Sequence, residues 1–394
     1  MSNTEKRLLI ALEVPFWVPD SGAARRISGL LTVLNRAGHD LAVFYPGRLG
    51  QAERSQIASL YPTLSIFTPG LLAVAWRGVR RRLGGSGMNE SALPASIRRP
   101  WVRERRNAFL GGIRTFRPQV VLVEYAYLSY LVETIAAAPG PRPTLILDTL
   151  DVLSARAQRF HAAGRRANPD ITEADESLVL DLYDALIAIQ QEEAEELRRL
   201  APGTPVIMAP FAHDATPLPV RDANSPRLLF VGGAAEHNLH ALAWFLHSVW
   251  PALRQRVPGL ECHIAGAVCD ARPAVPDGVV MTGRFDSVET VYREADIVIN
   301  PVQMGSGLKI KNIEAMAFGR PLVTTPLGAE GLGTGAGEAF VIAESPEDWI
   351  QALAALAESE ETRQRMAAAA AAYVDAHFSP EATFRPLLDF LSGA

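Results

Sequence analysis

The 394-residue chain reads as two doubly wound α/β domains, each a parallel sheet covered by helices on both faces. Three observations predict this. The length exceeds what one core ordinarily fills, so two domains of about 200 residues are expected. Short apolar strands alternate with helical stretches, an order that calls for right-handed βαβ units and parallel pairing. The alternation halts in a proline-rich stretch between Ala201 and Ser225 and then begins again.

The first half opens with the strand LLIALEV, a Pro/Gly loop PFWVPDSG, the helix RRISGLLTVLNRAG and the strand DLAVFYP. VVLVEY and TLILDT each end as a strand before a helix, and ALIAIQ precedes the acidic helix QEEAEELRRL. Five prolines between Pro202 and Pro219, followed by Pro226, predict a semi-rigid linker. The second half runs as strand RLLFVGG, helix HALAWFLHSVWPALRQRV, strands ECHIAGA and VVMTGRF, helix SVETVYREA, strand DIVINPV, helix LKIKNIEAMAFG and strand PLVTT. A strand AFVIA and helices from Pro346 onward complete it. The expected division is residues 1–203, a linker 204–225, and residues 226–378. The amphipathic segment 379–394 is expected to pack back on the first domain. Ligands of such sheets bind outside the carboxyl ends of the strands, so an interdomain cleft is the expected site.

Composition narrows the function. An apolar share of 48% with 21% charged residues is that of a globular chain. A net charge of −5 argues against general nucleic-acid binding. Two cysteines, Cys262 and Cys269, fit neither metal-ligand spacing nor a disulfide framework, and point to a reducing cytoplasm. The short apolar run at the N-terminus reads as a first strand rather than a leader, and no stretch reaches the roughly 18 apolar residues of a spanning helix. Charge is uneven, however: Arg77 to Arg117 holds eleven arginines against two acids, with Trp76, Trp101 and Phe109 interleaved. Such a segment suits an anionic membrane face or a phosphorylated acceptor, and an arginine-rich solvated helix pair is the alternative.

The densest chemical signal is Asn300 to Gly333. A strand runs into the tight loop Gly305, Ser306, Gly307, then Leu308 and a helix carrying Lys309 and Lys311. Glycines admit backbone amides close to a ligand, the helix start adds partial positive charge, and the lysines add full charges. This is an anion site of a size to hold a diphosphate. Glu314 follows Lys311 by one helical turn on the same face, where a carboxylate can accept both hydroxyls of a ribose; an ordinary surface ion pair is the alternative.

These residues resemble the donor-binding region of GT-B glycosyltransferases, specifically the retaining glycosyltransferase family 4. Pro301, Gly305, Ser306, Gly307, Lys309, Lys311, Glu314, Ala315, Met316, Gly319, Pro321, Thr324, Gly328, Ala329, Glu330, Gly331 and Leu332 stand in step with its pattern. The similarity spans roughly 226–334. It implies a GT-B fold, a nucleoside diphosphate sugar as co-substrate with no cofactor, a saccharide or lipid-linked acceptor, and retention at the anomeric carbon. It also implies that Glu314 holds the ribose. Ser306 occupies the place of the family's hexose-binding glutamate, and Lys309 that of an arginine, which keeps charge without bidentate geometry. Gly232, Gly233, His237 and Asn238 match the loop that borders the diphosphate, and Arg284 with Phe285 lies in the segment that contacts the base.

In the first half, Gly22, Arg25 and Arg26 resemble the family's loop after strand one. Asp148 and Asp151 resemble an Asp-x-x-Asp segment in which Leu150 replaces a histidine, with Arg156 following. Glu124 ends another strand and is a candidate facing the acceptor. For these acids a buried carboxylate capping a helix is the alternative. His213 is read as a packed or exposed histidine. No Asp-x-Asp or other metal-ligand spacing occurs, so no metal is expected. Three rivals follow: a catalytically silent homologue, a sugar-nucleotide 2-epimerase, and a dinucleotide oxidoreductase. The last needs a G-x-G-x-x-G that PDSGAARR does not supply. The expected location is the cytoplasm, with peripheral contact at the inner face of a membrane through the basic segment.

Overall fold

A computed structural model describes residues 5–18, 22–69, 93, 94, 96, 97, 102–136, 142–162, 164, 166–221, 225–271, 275–304 and 308–393. Contacts divide the chain into one unit of Met1–Pro210 with Phe384–Ala394 and another of Phe211–Thr383.

The first unit holds a seven-stranded parallel sheet. Its strands are β1 Arg7–Ala11, β2 Asp40–Phe44, β3 Ser65–Phe67, β4 Val120–Glu124, β5 Thr144–Asp148, β6 Ala185–Ala188 and β7 Val206–Met208, in the order β3-β2-β1-β4-β5-β6-β7. The middle strands are apolar without alternation; Leu8 to Ala11 and Val120 to Val123 are all buried, as a sheet covered on both faces requires. Helices Gly22–Arg36, Val102–Phe116, Leu153–Ala162, Glu173–Leu180 and Gln191–Leu200 connect and cover them.

The second unit holds a six-stranded parallel sheet of β8 Arg227–Val231, β9 Glu261–Ala265, β10 Val279–Gly283, β11 Ile297–Asn300, β12 Leu322–Thr324 and β13 Val341–Ile342, in the order β10-β9-β8-β11-β12-β13. Chain order reverses between β1 and β4 in one sheet and between β8 and β11 in the other. At such a switch point the flanking loops diverge and leave a crevice at the carboxyl ends of the strands.

Two elements differ from expectation. The helix expected over 240–257 is two, Glu236–Ser248 and Trp250–Arg256, because Pro251 has no amide to continue the first and is suited to starting the second. The stretch expected to be linker from residue 204 contributes β7, an edge strand whose neighbouring prolines, Pro205 and Pro210, fall outside it. Most of the Arg77–Arg117 segment lies outside the described residues; its described part includes helix Val102–Phe116. Among the described residues no helix is long and apolar enough to cross a membrane.

One glycine lets the strand ends of the second unit close up. Gly266 follows β9 at φ +100°, and a Cβ there would lie 2.4 Å from the Gly232 carbonyl oxygen. Gly266→Ala is therefore expected to destabilise this unit by roughly 2–3 kcal/mol, through strain and backbone clash together. Urea unfolding of the variant against wild type measures the loss.

Candidate functional site

The β8/β11 switch point in the second unit is where the anticipated anion residues meet. Helix Ile310–Ala317 follows β11, and Lys311 extends from its first turn toward the end of β8. Its ammonium donates to Asn238 Oδ1 at 2.7 Å and to the Val231 carbonyl oxygen at 3.3 Å, and stands 5.1 Å from the Phe230 ring centre. Asn238 is itself fixed by donating Nδ2 to the Gly233 carbonyl at 3.2 Å. Lys311 thus joins the strand ends on either side of the reversal. Gly232 and Gly233 form the turn between β8 and the helix that carries His237 and Asn238.

Charge in this crevice is one-sided. Burial first, and then the nearby Lys309 charge, push the Lys311 ammonium down to about 8, with Glu314 pulling the other way. His237 is also lowered, first by burial and then by Lys311 and Lys309. Those mutual effects place three basic side chains around one spot, at a helix start whose first amides lack intrahelical acceptors. Such an arrangement attracts a polyanion. Glu314 is buried one turn beyond Lys311, and Leu308 is partly exposed. The helix stops where expected: Gly319 takes φ +63°, with Arg320 N donating to Ala315 O at 2.9 Å.

Gly305, Ser306 and Gly307 lie outside the described residues. Arg284 is exposed and paired to Asp270 at 2.6 Å, so its charge is already answered. Phe285 presents an exposed ring beyond β10. His213 packs edge-on against Phe318, with Nδ1 2.7 Å from the Asp214 carbonyl oxygen, as a packed histidine should.

In the first unit, Gly22 begins the helix that carries Arg25, which is partly exposed, and Arg26. Arg26 and Asp148 were candidates for a ligand; the structure instead buries both and joins them in a fork, Nε to Oδ2 at 3.0 Å and Nη2 to Oδ1 at 3.1 Å. Arg26 also donates to the Pro210 carbonyl. Burial raises the Asp148 carboxyl above its ordinary value even against that guanidinium. Asp151 pairs with Arg156 at 3.0 Å and with Arg159 at 3.8 Å; burial raises it too. Glu124, beside Asp148 in strand register, is 1% exposed and finds no partner for either oxygen among the described residues. Burial, reinforced by Asp148, holds it well above the usual carboxylate range. Helix capping, weighed for these acids, falls to Glu176, which accepts from the amides of Leu153 and Ser154 at 2.8 and 2.7 Å.

The residues that follow the two central strands of this sheet are conformationally costly. Tyr125 and Leu150 take φ +64° and +57° after β4 and β5, positions where side chains other than glycine are uncommon. Sequence reasoning also missed Glu193, in the first turn of an apparently solvated acidic helix; it is buried, and desolvation pushes it up to about 7. Its apolar neighbours Ala194 and Leu197 were the available signal. In the second unit, Asn300, Asn312 and Thr324 form a buried polar cluster, and an asparagine among Ile313, Ala315 and Met316 was the clue. Among the described residues no group of three or more His, Cys, Asp or Glu is arranged to hold a metal ion.

Residues 225–359 match the family model described as glycosyl transferases group 1, a span that includes the whole β8/β11 crevice. The chain is 29% identical over 175 residues to an uncharacterized 44.6 kDa protein in the cps region of Klebsiella pneumoniae, which covers 41% of this chain and 44% of that protein. It therefore spans less than half the length of this curated relative. Among solved structures, sucrose-phosphate synthase of Thermosynechococcus elongatus aligns over 99% of both chains at 13% identity, with a TM-score of 0.69. Anabaena HepE, solved in complex with UDP-glucose, aligns over 99% of this chain and 100% of its own at 12% identity, with a TM-score of 0.64. Likeness at this identity speaks for the fold, and with the two parallel sheets it shows a GT-B, Rossmann-like fold.

Removing one member of the buried ion pair should be severe, since it leaves the other charge desolvated. Asp148→Ala is expected to cost the first unit roughly 3–5 kcal/mol, read by chemical denaturation.

Proposed function

We propose that the protein is a glycosyltransferase that moves a sugar from a nucleoside diphosphate sugar to a saccharide or lipid-linked acceptor. The observation that carries this reading is the placement of Lys311 across the β8/β11 switch point, with Lys309 and His237 beside it. The match to the group 1 glycosyltransferase model over this same stretch supports it, as does the UDP-glucose held by HepE.

In this reading the diphosphate lies against the start of helix Ile310–Ala317, and Glu314 accepts hydrogen bonds from the ribose hydroxyls. The bond between the sugar anomeric carbon and the phosphate oxygen breaks, and its electron pair leaves on the diphosphate. Lys309, Lys311 and the helix amides stabilise charge where it develops, the largest single source of catalysis in many sites. The acceptor oxygen attacks the anomeric carbon from the face the diphosphate leaves, which retains configuration, and its proton passes to a departing phosphate oxygen. Cationic side chains rather than a metal ion neutralise the leaving group. We assign the setting to polysaccharide or glycoconjugate assembly at the cytoplasmic side of a membrane, in keeping with the cps-region name of the Klebsiella relative and the basic Arg77–Arg117 segment.

A catalytically silent nucleotide-binding homologue is the second reading, favoured by Leu150 in place of a histidine and Ser306 in place of a glutamate. It predicts nucleotide binding without turnover, whereas a 2-epimerase would convert the donor with no acceptor present.

A thermal-shift screen with UDP, GDP, ADP and TDP is expected to single out one nucleotide, and the matching sugar nucleotide should then be slowly hydrolysed. Lys311→Ala and Glu314→Ala should each weaken donor use, by about 3 kcal/mol in the transition state for the lysine; unchanged kinetics in both would falsify the assignment.

Affinity for that nucleotide should also depend on pH. Below about 8 Lys311 is already charged in the free protein. Above that value binding must take up a proton, because the phosphates raise the lysine back toward its ordinary range. Affinity should then fall by about tenfold per pH unit until the pKa of the complex is passed. Titration calorimetry in buffers of different ionisation enthalpy reads this proton uptake directly.

A further inference from the structure

Two asparagines meet in the interior of the second unit. Asn300 ends β11, Asn312 lies in the first turn of helix Ile310–Ala317, and both are completely buried. Asn300 Nδ2 donates to Asn312 Oδ1 at 2.8 Å. Asn312 Nδ2 donates to the Gly328 carbonyl oxygen at 2.7 Å and to Thr324 Oγ1 at 3.4 Å. Thr324 Oγ1 in turn donates to the Asn300 carbonyl oxygen at 3.0 Å.

A backbone carbonyl can only accept, so the two carbonyls in this ring dictate the orientation of both amides and the hydroxyl. The ring joins the end of β11, the end of β12 and the turn at Gly328 to the helix. Thr325 adds a second tie, donating to the Val302 carbonyl and accepting from Gly328 N at 2.9 Å. A third comes from buried Tyr292, whose hydroxyl donates to the Lys311 carbonyl oxygen at 3.2 Å.

A helix of eight residues cannot hold its own direction; tertiary contacts must. Apolar contacts alone let such a helix slide or rotate at little cost, since they carry no direction. A closed ring of buried hydrogen bonds does not, because any shift leaves a desolvated polar group without its partner. Lys311 precedes Asn312 directly, and Lys309 is the residue at the helix start, so rotation of this turn moves both ammonium groups.

We infer that Asn312 is a positioning residue: through Asn300, Thr324 and Gly328 it sets the rotation and axial placement of the helix turn that carries Lys309 and Lys311, and so the fit of that turn to a nucleoside diphosphate. This rests on the donor-binding reading given above, and its test has one arm independent of any ligand.

Asn312→Leu keeps the branched heavy-atom outline and favours the helix, while removing the ring's central donor. Thr324→Val is a milder, nearly isosteric variant that keeps the Asn312–Gly328 bond, and it serves if the leucine variant does not fold. Both are measured well below their melting temperatures. Affinity for whichever of UDP, GDP, ADP and TDP wild type binds best should weaken, by about tenfold for Asn312→Leu and less for Thr324→Val, the scale of one charge-assisted contact. In parallel, NMR titration of the Lys311 side chain, assigned by its loss in Lys311→Ala, should move up from its wild-type midpoint toward the ordinary lysine value. A lowered melting temperature with both that nucleotide affinity and the Lys311 midpoint unchanged would overturn the inference, leaving the ring a stability feature alone. Should wild type bind none of UDP, GDP, ADP and TDP while the Lys311 midpoint still shifts in the variants, positioning stands and the donor-binding reading is what fails.

Discussion

An ammonium group taken out of water beside a second cation is unfavourable, and the second unit is organised around tolerating one. Lys311 is answered by two neutral oxygens, of Val231 and Asn238, and by the face of Phe230. Glu314 pulls the ammonium back toward its ordinary value, but burial first, and then Lys309, keep it below. Neutral dipoles stabilise a cation without cancelling its field, so the crevice stays electropositive. The asparagine ring bears on where that charge sits, since Asn312 directly follows Lys311.

The first unit answers the same topological situation with the opposite balance. Its strand ends gather Glu124, Asp148, Asp151 and Glu193, and the nearby arginines do not match them one for one. Arg26 is taken up by Asp148, and Arg156 with Arg159 by Asp151. Among the described residues Glu124 then has no hydrogen-bond partner in the low-dielectric interior, and burial with Asp148 outweighs the pull of Arg26, so the neutral form is the cheaper one. Strained residues after β4 and β5 mark the same end of the sheet. Backbone strain of this kind persists only where surrounding packing over-determines it.

Much of the fold was legible in the chain itself. Buried parallel strands are uninterrupted apolar runs, so LLIALEV, VVLVEY and DIVINPV declare themselves, and glycine or proline marks where elements end. The linker was only half legible, because proline density conceals a three-residue edge strand in which no proline has to donate; Pro205 lends only its carbonyl, to Leu186 N. The split of one expected helix at Val249 turned on a single missing amide that periodicity does not register.

The candidate site was readable only as a kind of chemistry: glycines, a helix start and two lysines within a few residues suit an anion without needing distant partners. What each charge does was not. Arg26 and Asp148 lie 122 positions apart, and Lys311 and Asn238 lie 73 apart. Sequence alone determined which residues are able to carry charge and roughly where the strand ends bring them. Only tertiary structure decided that one cation is neutralised by a fork while another is held by neutral oxygens, because desolvation and pairing depend on neighbours supplied by folding rather than by chain order.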